Sequence, residues 1–136
     1  MPATYSESLQ DLFDTFEMLE DWEARYGYLL DLAKQLPPLS EAEKNEQTLV
    51  RGCMSQVWLV GGVENGLLAV RGDSDAHIVK GLIALLLLLV NARRIEDVRA
   101  LNFPEVFAQL GLESHLSMNR RNGFYAMVER IQSLAG

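Results

Sequence analysis

The sequence predicts an α+β domain, with a small antiparallel sheet of about three strands packed against helices from both ends of the chain. Apolar residues recur at helical spacing in the first 36 residues and again after residue 76, whereas β-branched and aromatic residues concentrate between 49 and 70. Gly61-Gly62 and the turn at Asn65-Gly66 divide that middle run. With 136 residues, 49% of them hydrophobic, the chain suits one domain, 1–136, whose core needs no staples.

From Ser6 onward, Leu9, Leu12, Phe13, Phe16 and Leu19 form one apolar stripe at spacings of three and four, with Ser6 or Ser8 as a cap. A second helix is predicted from about Trp22 to Leu36, ended by Pro37-Pro38, which lack amide hydrogens and restrict the residues before them. The two are expected to pack as a pair. Ser40 followed by Glu43 is a capping-box pattern for one short turn in a polar connector.

Leu49 to Val50 and Gln56 to Val60 read as strands, closed by Gly61-Gly62; a turn over Val63 to Gly66 leads into a returning strand, Leu67 to Val70. Gly72-Asp73-Ser74-Asp75-Ala76 supplies candidate N-caps for a long helix containing Ile78 to Val90. Its apolar residues cover every face, which predicts an enclosed helix lying across the sheet. Short helices are expected over Ile95 to Leu101 and from Pro104 near Phe107, then a break at Gly111, a loop from Leu112 to Met118, and a last amphipathic helix over about Asn119 to Leu134.

Composition removes several functions. The longest wholly apolar stretch, Leu82 to Val90, falls well short of the roughly 20 residues a membrane-spanning helix needs. The N-terminal residues lack the charge and apolar run of a signal peptide, and a single cysteine excludes an internal disulfide framework, so a reducing cytoplasm is the expected location. A net charge of -7 opposes nucleic acid, and no membrane partner is expected.

Chemistry centres on Arg51-Gly52-Cys53-Met54-Ser55-Gln56-Val57-Trp58-Leu59, where the only cysteine stands between a glycine and a strand. Cys53 is either a reactive nucleophile or a small buried hydrophobe. His77 and His115 make a Cys-His hydrolase arithmetically possible, most simply as Cys53 with His115. No ligand spacing for a metal is present, and no cofactor is expected on this chain. The glycines suit turns rather than a phosphate loop, since no Walker lysine accompanies them. Arg120-Arg121 places positive charge at a helix N-terminus, against the dipole, which invites a further role.

The chain resembles the SufE-like family of sulfur-acceptor proteins, which includes CsdE. The resemblance runs through Trp22-Glu23-x-x-Tyr26, Leu36-Pro37-Pro38-Leu39, Val50-x-Gly52-Cys53-x-Ser55-Gln56-Val57-Trp58-Leu59, Gly72-Asp73-Ser74-Asp75-Ala76-x-Ile78-Val79-x-Gly81-Leu82, Leu110-Gly111-Leu112, His115-Leu116-Ser117 and Arg120-x-x-Gly123. It implies a fold similar to iron-sulfur scaffold proteins, and a role in which Cys53 takes sulfur from the persulfide of a cysteine desulfurase of the SufS or CsdA kind. The sulfur then passes to iron-sulfur assembly or, on the CsdE branch, to another acceptor such as a tRNA-modification route. The chain would be a carrier and desulfurase activator rather than an enzyme, with pyridoxal phosphate on the partner. Arg51, Gly52, Met54, Ser55, Asp73, Asp75, His115 and Arg120 are implied to tune the loop or the partner surface. Two departures stand out: Thr48 where the family commonly has asparagine, and Met54 where glutamine is usual.

Overall fold

The computed structural model describes residues 7–52, 55–112 and 116–135. Two helices open it, α1 (Glu7–Met18) and α2 (Trp22–Gln35), the second capped by the Asp21 carboxylate, which accepts from the Ala24 amide at 2.8 Å. They touch through an edge-to-face contact of Phe16 on Tyr28. A one-turn 3-10 helix, Glu41–Glu43, follows with the capping box formed in full by Ser40 and Glu43.

The sheet is a hairpin of β1 (Val57–Glu64) and β2 (Leu67–Ser74), so the expected third strand is corrected to an isolated bridge, Leu49 to Trp58. Gly61-Gly62 does not end β1. Gly61 sits at φ 135 with the β2 backbone where a side chain would go, so it carries the strand onward in a conformation other residues avoid. The turn is instead Asn65-Gly66, both at positive φ, a two-residue loop whose twist matches the strands.

Both edges of this ribbon are covered. On the β2 side, the Asn91 side chain accepts from the Val70 amide and donates to the Val70 carbonyl, both at 2.8 Å, as a neighbouring strand would. On the β1 side, residues 48–50 take that place. Such cover shortens the row of unpaired backbone groups that could recruit another chain.

Helix α3 (His77–Val90) begins after Ala76, which makes no side-chain cap. Neither Asp73 nor Ser74 caps it as the sequence suggested, because both are still in β2. Leu82, Ile83, Leu85, Leu86 and Leu89 are buried against α2 and the sheet, but Leu88 is 46% exposed, so enclosure is not complete on every face. Gly81 lets the backbones of α3 and α2 meet, since a side chain there would strike the Leu29 carbonyl. Helices α4 (Ile95–Ala100), α5 (Phe103–Gln109) and α6 (Met118–Leu134) complete the core, with Phe107 stacked on Phe124 at 4.3 Å. Among the described residues no helix is long and apolar enough to cross a membrane.

Candidate functional site: the cysteine loop

The two limbs flanking Cys53 meet at a neck. The Val50 amide donates to the Val57 carbonyl at 2.8 Å and the Leu59 amide to the Thr48 carbonyl at 2.9 Å, so the chain on either side of residues 53–54 is drawn together at the end of β1. Cys53 and Met54 themselves lie outside the described residues, as does His115. Arg51 and Gly52 are exposed, and Gly52 adopts φ 95, a conformation that β-carbon-bearing residues rarely take. Thr48 fits its place: its hydroxyl donates to the Glu43 carbonyl at 2.6 Å and accepts from the Asn45 amide at 3.1 Å.

The outgoing limb is fastened to the end of β2. Asp75 accepts from the Gln56 amide at 3.0 Å, and the Gln56 carbonyl accepts from both the Ser74 hydroxyl at 2.6 Å and the Asp75 amide at 3.3 Å. This is where the Gly72 to Ala76 segment bears on the loop, through the Ser74 and Asp75 side chains and the Asp75 amide on the Gln56 backbone rather than as a helix cap.

Asp73 does something different. Its side chain is 4% exposed, and it accepts from the amides of Ser74 at 2.8 Å and Leu39 at 3.2 Å while pairing with Lys44 at 3.3 Å and Lys80 at 3.7 Å. Burial opposes its ionisation, but the two amides and the Lys44 ammonium outweigh that and hold its pKa below the ordinary carboxylate value. It is a buried junction, not a surface group. Lys44 also lies over the Trp58 ring, 5.2 Å from its centre, so one lysine covers the cross-strand pair of Trp58 and Asp73.

Beside the loop is a cavity of about 350 Å³, lined by Ser55, by Val79 and Leu82 of α3, and by Arg120, Gly123 and Met127 of α6. Ser55 and Arg120 thus line the same cavity. Ser117 caps α6 by accepting from the Arg120 amide at 3.2 Å. His77 stands exposed at the start of α3. Among the described residues no group of three histidine, cysteine or acidic side chains is arranged to hold a metal.

Sequence reasoning missed Arg130. Its guanidinium donates to the carbonyls of Gln47 at 3.2 Å and Leu49 at 2.9 Å, across more than eighty positions of chain. No local pattern marks such a contact.

Comparison with known proteins decides the lineage. Residues 10–135 match the family model described as "SufE: Fe-S metabolism associated domain". The chain belongs to the SufE family. Family relatives include an uncharacterized SufE-like protein of Rhizobium meliloti, 41% identical with 94% of each chain covered. A second, from Rhizobium etli, is 42% identical over 96% of this chain and 91% of its own. Among solved structures, the solution structure of a hypothetical protein from Thermus thermophilus superposes with a TM-score of 0.77 at 25% identity, covering 93% of this chain and 92% of that one. Family membership places the chain in Fe-S metabolism.

Proposed function

We propose that the chain is a sulfur acceptor, in which Cys53 takes the outer sulfur from the persulfide of a cysteine desulfurase and hands it to iron-sulfur assembly or another acceptor. One observation carries the reading: the only cysteine of a SufE-family chain falls in a loop closed by Val50 and Val57, with a cavity against its Ser55 limb. A loop held at its neck presents a reactive group to a partner while its base stays in register with the sheet.

The step is an exchange with no net redox change. The Cys53 thiolate attacks the outer sulfur of the donor's Cys–S–SH, a new S–S bond forms on Cys53, and the donor's S–S bond breaks with its cysteine leaving as thiolate. The proton stays with the transferred sulfur. A single thiol suffices for this, whereas holding a cluster takes several ligands. Pyridoxal phosphate belongs to the donor, and this chain's own residues supply the nucleophile and the docking surface around it.

The test is to incubate the protein with a cognate desulfurase and free cysteine, then weigh it intact. A gain of one sulfur atom on the wild type, absent in Cys53→Ser together with loss of desulfurase stimulation, is the expected result. Unmodified wild-type protein, or undiminished stimulation by Cys53→Ser, would reject the reading.

A further inference from the structure

The cover that residues 48–50 give the β1 edge reaches only Leu59. On β2, the amide and carbonyl of Leu68 bond to Arg93 and Ala92, and those of Val70 bond to the Asn91 side chain, so both residues point away from β1. Leu68 stands opposite Val63, and Val70 opposite Gly61. Opposite residues of an antiparallel pair either exchange both their hydrogen bonds or turn both sets away from each other. The amides and carbonyls of Gly61 and Val63 therefore face the outer edge of β1, on the side where the Val57 carbonyl and the Leu59 amide meet the connector. Among the described residues nothing bonds to them there, and both residues are exposed, Val63 by 47%.

Sheet edges are commonly blunted by proline, by lysine or by a covering element, and Gly61–Glu64 has none of these. Donors and acceptors repeating roughly 7 Å apart along an extended edge match one kind of ligand, another extended main chain. The neighbouring side chains narrow its chemistry. Gly62 and Glu64 lie on one face of the strand, and a β-carbon placed on Gly62 would meet nothing within 4 Å. A strand laid here has room for a large side chain opposite Gly62, the arrangement in which an aromatic ring covers an edge glycine. Glu64 is exposed and is the only charge between Val57 and Val70, in a chain of net charge -7, so the complementary cross-strand residue is basic. We propose that Gly61–Glu64 is a docking edge for an extended segment of a partner protein, added antiparallel as the connector is, with an aromatic residue opposite Gly62 and a basic one opposite Glu64. This edge is at the other end of β1 from the Val50–Val57 neck, roughly 23 Å along the strand. Docking here does not depend on the sulfur-acceptor role.

The probe is the end-blocked peptide Lys-Thr-Phe-Thr-Lys, which is short enough to stop before Leu59 and sets its threonine backbones against Gly61 and Val63. Amide hydrogen exchange of the isotope-labelled full-length protein is read by NMR with the peptide at about 5 mM. The Gly61 and Val63 amides should slow about fivefold to tenfold, while those of Gly62 and Glu64, which face β2, stay unchanged. A peptide with both threonine amides methylated should give no slowing, and one with glutamates in place of its lysines should need several-fold more. In Glu64→Lys that charge preference should reverse. Exchange at Gly61 and Val63 within about twofold of the free protein, or equal slowing by the methylated peptide, overturns the proposal. Protection of the same two amides without peptide, lost on dilution, would assign the edge to a second copy of the chain and overturn it as well.

Discussion

Gln56 and Asp75 exchange hydrogen bonds: the Asp75 carboxylate accepts from the Gln56 amide at 3.0 Å, and the Asp75 amide donates to the Gln56 carbonyl at 3.3 Å. This closes the outgoing limb of the cysteine loop against the start of α3. Asp75→Ala removes the acceptor and should lower stability by about 1 kcal/mol, while Asp75→Asn, which keeps an oxygen there, should lose less. Urea titration gives the stability difference. Faster hydrogen exchange of the Gln56 amide in Asp75→Ala would place the loss at the loop, and exchange equal to wild type would contradict it.

Acid should unfold the protein through two carboxylates. The Arg71 guanidinium, helped by the Ser40 amide, holds the Glu43 pKa down to about 2, and Asp73 is also held below its ordinary value. A folded-state pKa below the unfolded one stabilises above the unfolded value and loses that stabilisation as pH falls through the folded one. The loss should therefore begin near the ordinary carboxylate range of about pH 4 and extend, for Glu43, toward about pH 2. Melting curves across this window should show a shallower acid decline in Glu43→Gln than in wild type.

At neutral pH Asp73→Asn is the harsher change. It leaves the half-buried Lys44 and Lys80 ammoniums without their carboxylate and should cost about 2–3 kcal/mol. Its stability should also fall less than that of wild type as the pH drops below the ordinary carboxylate range of about 4, where wild type loses the contribution of ionised Asp73. A melting temperature equal to wild type at about pH 7 would contradict the buried-junction role.

Two glycines near the site and in the core give opposed tests. Gly52→Ala meets Ala126 only at an ordinary 3.4 Å, so its cost, about 1–2 kcal/mol, comes from forcing a β-carbon into φ 95. Gly81→Ala has a helical backbone but no room: its β-carbon would come within 2.8 Å of the Leu29 carbonyl carbon, so it should cost about 1–3 kcal/mol by separating α2 from α3. Gly62→Ala, with open space and no positive φ, is the near-neutral control in the same denaturation series.

The fold class was readable because each helix carries its own periodicity: the stripe through Leu12 and Phe16 and the run from Ile78 to Val90 needed no knowledge of their neighbours. The Ser40–Glu43 capping box was equally local. Tertiary geometry decided the rest. Gly61-Gly62 looks like a strand end from composition, yet glycine's freedom let β1 pass through to Asn65-Gly66. Ser74 has the chemistry of a helix cap, but its hydroxyl was drawn to Gln56 because the hairpin register sets Ser74 opposite Val57. At the site, the motif around Cys53 marked the loop, whereas the Arg130 grip and the burial of Asp73 depend on partners far away in sequence.

The neck between Val50 and Val57 also separates two kinds of sequence change. Both residues are buried members of the core, while Arg51 and Gly52 just above them are exposed. Substitutions above the neck alter a short closed segment, and the hydrophobic interior below it keeps its packing. Exchanges at exposed positions such as Arg51 can thus change the surface beside the neck without asking the rest of the molecule to adapt, so that surface and foldedness are free to drift apart.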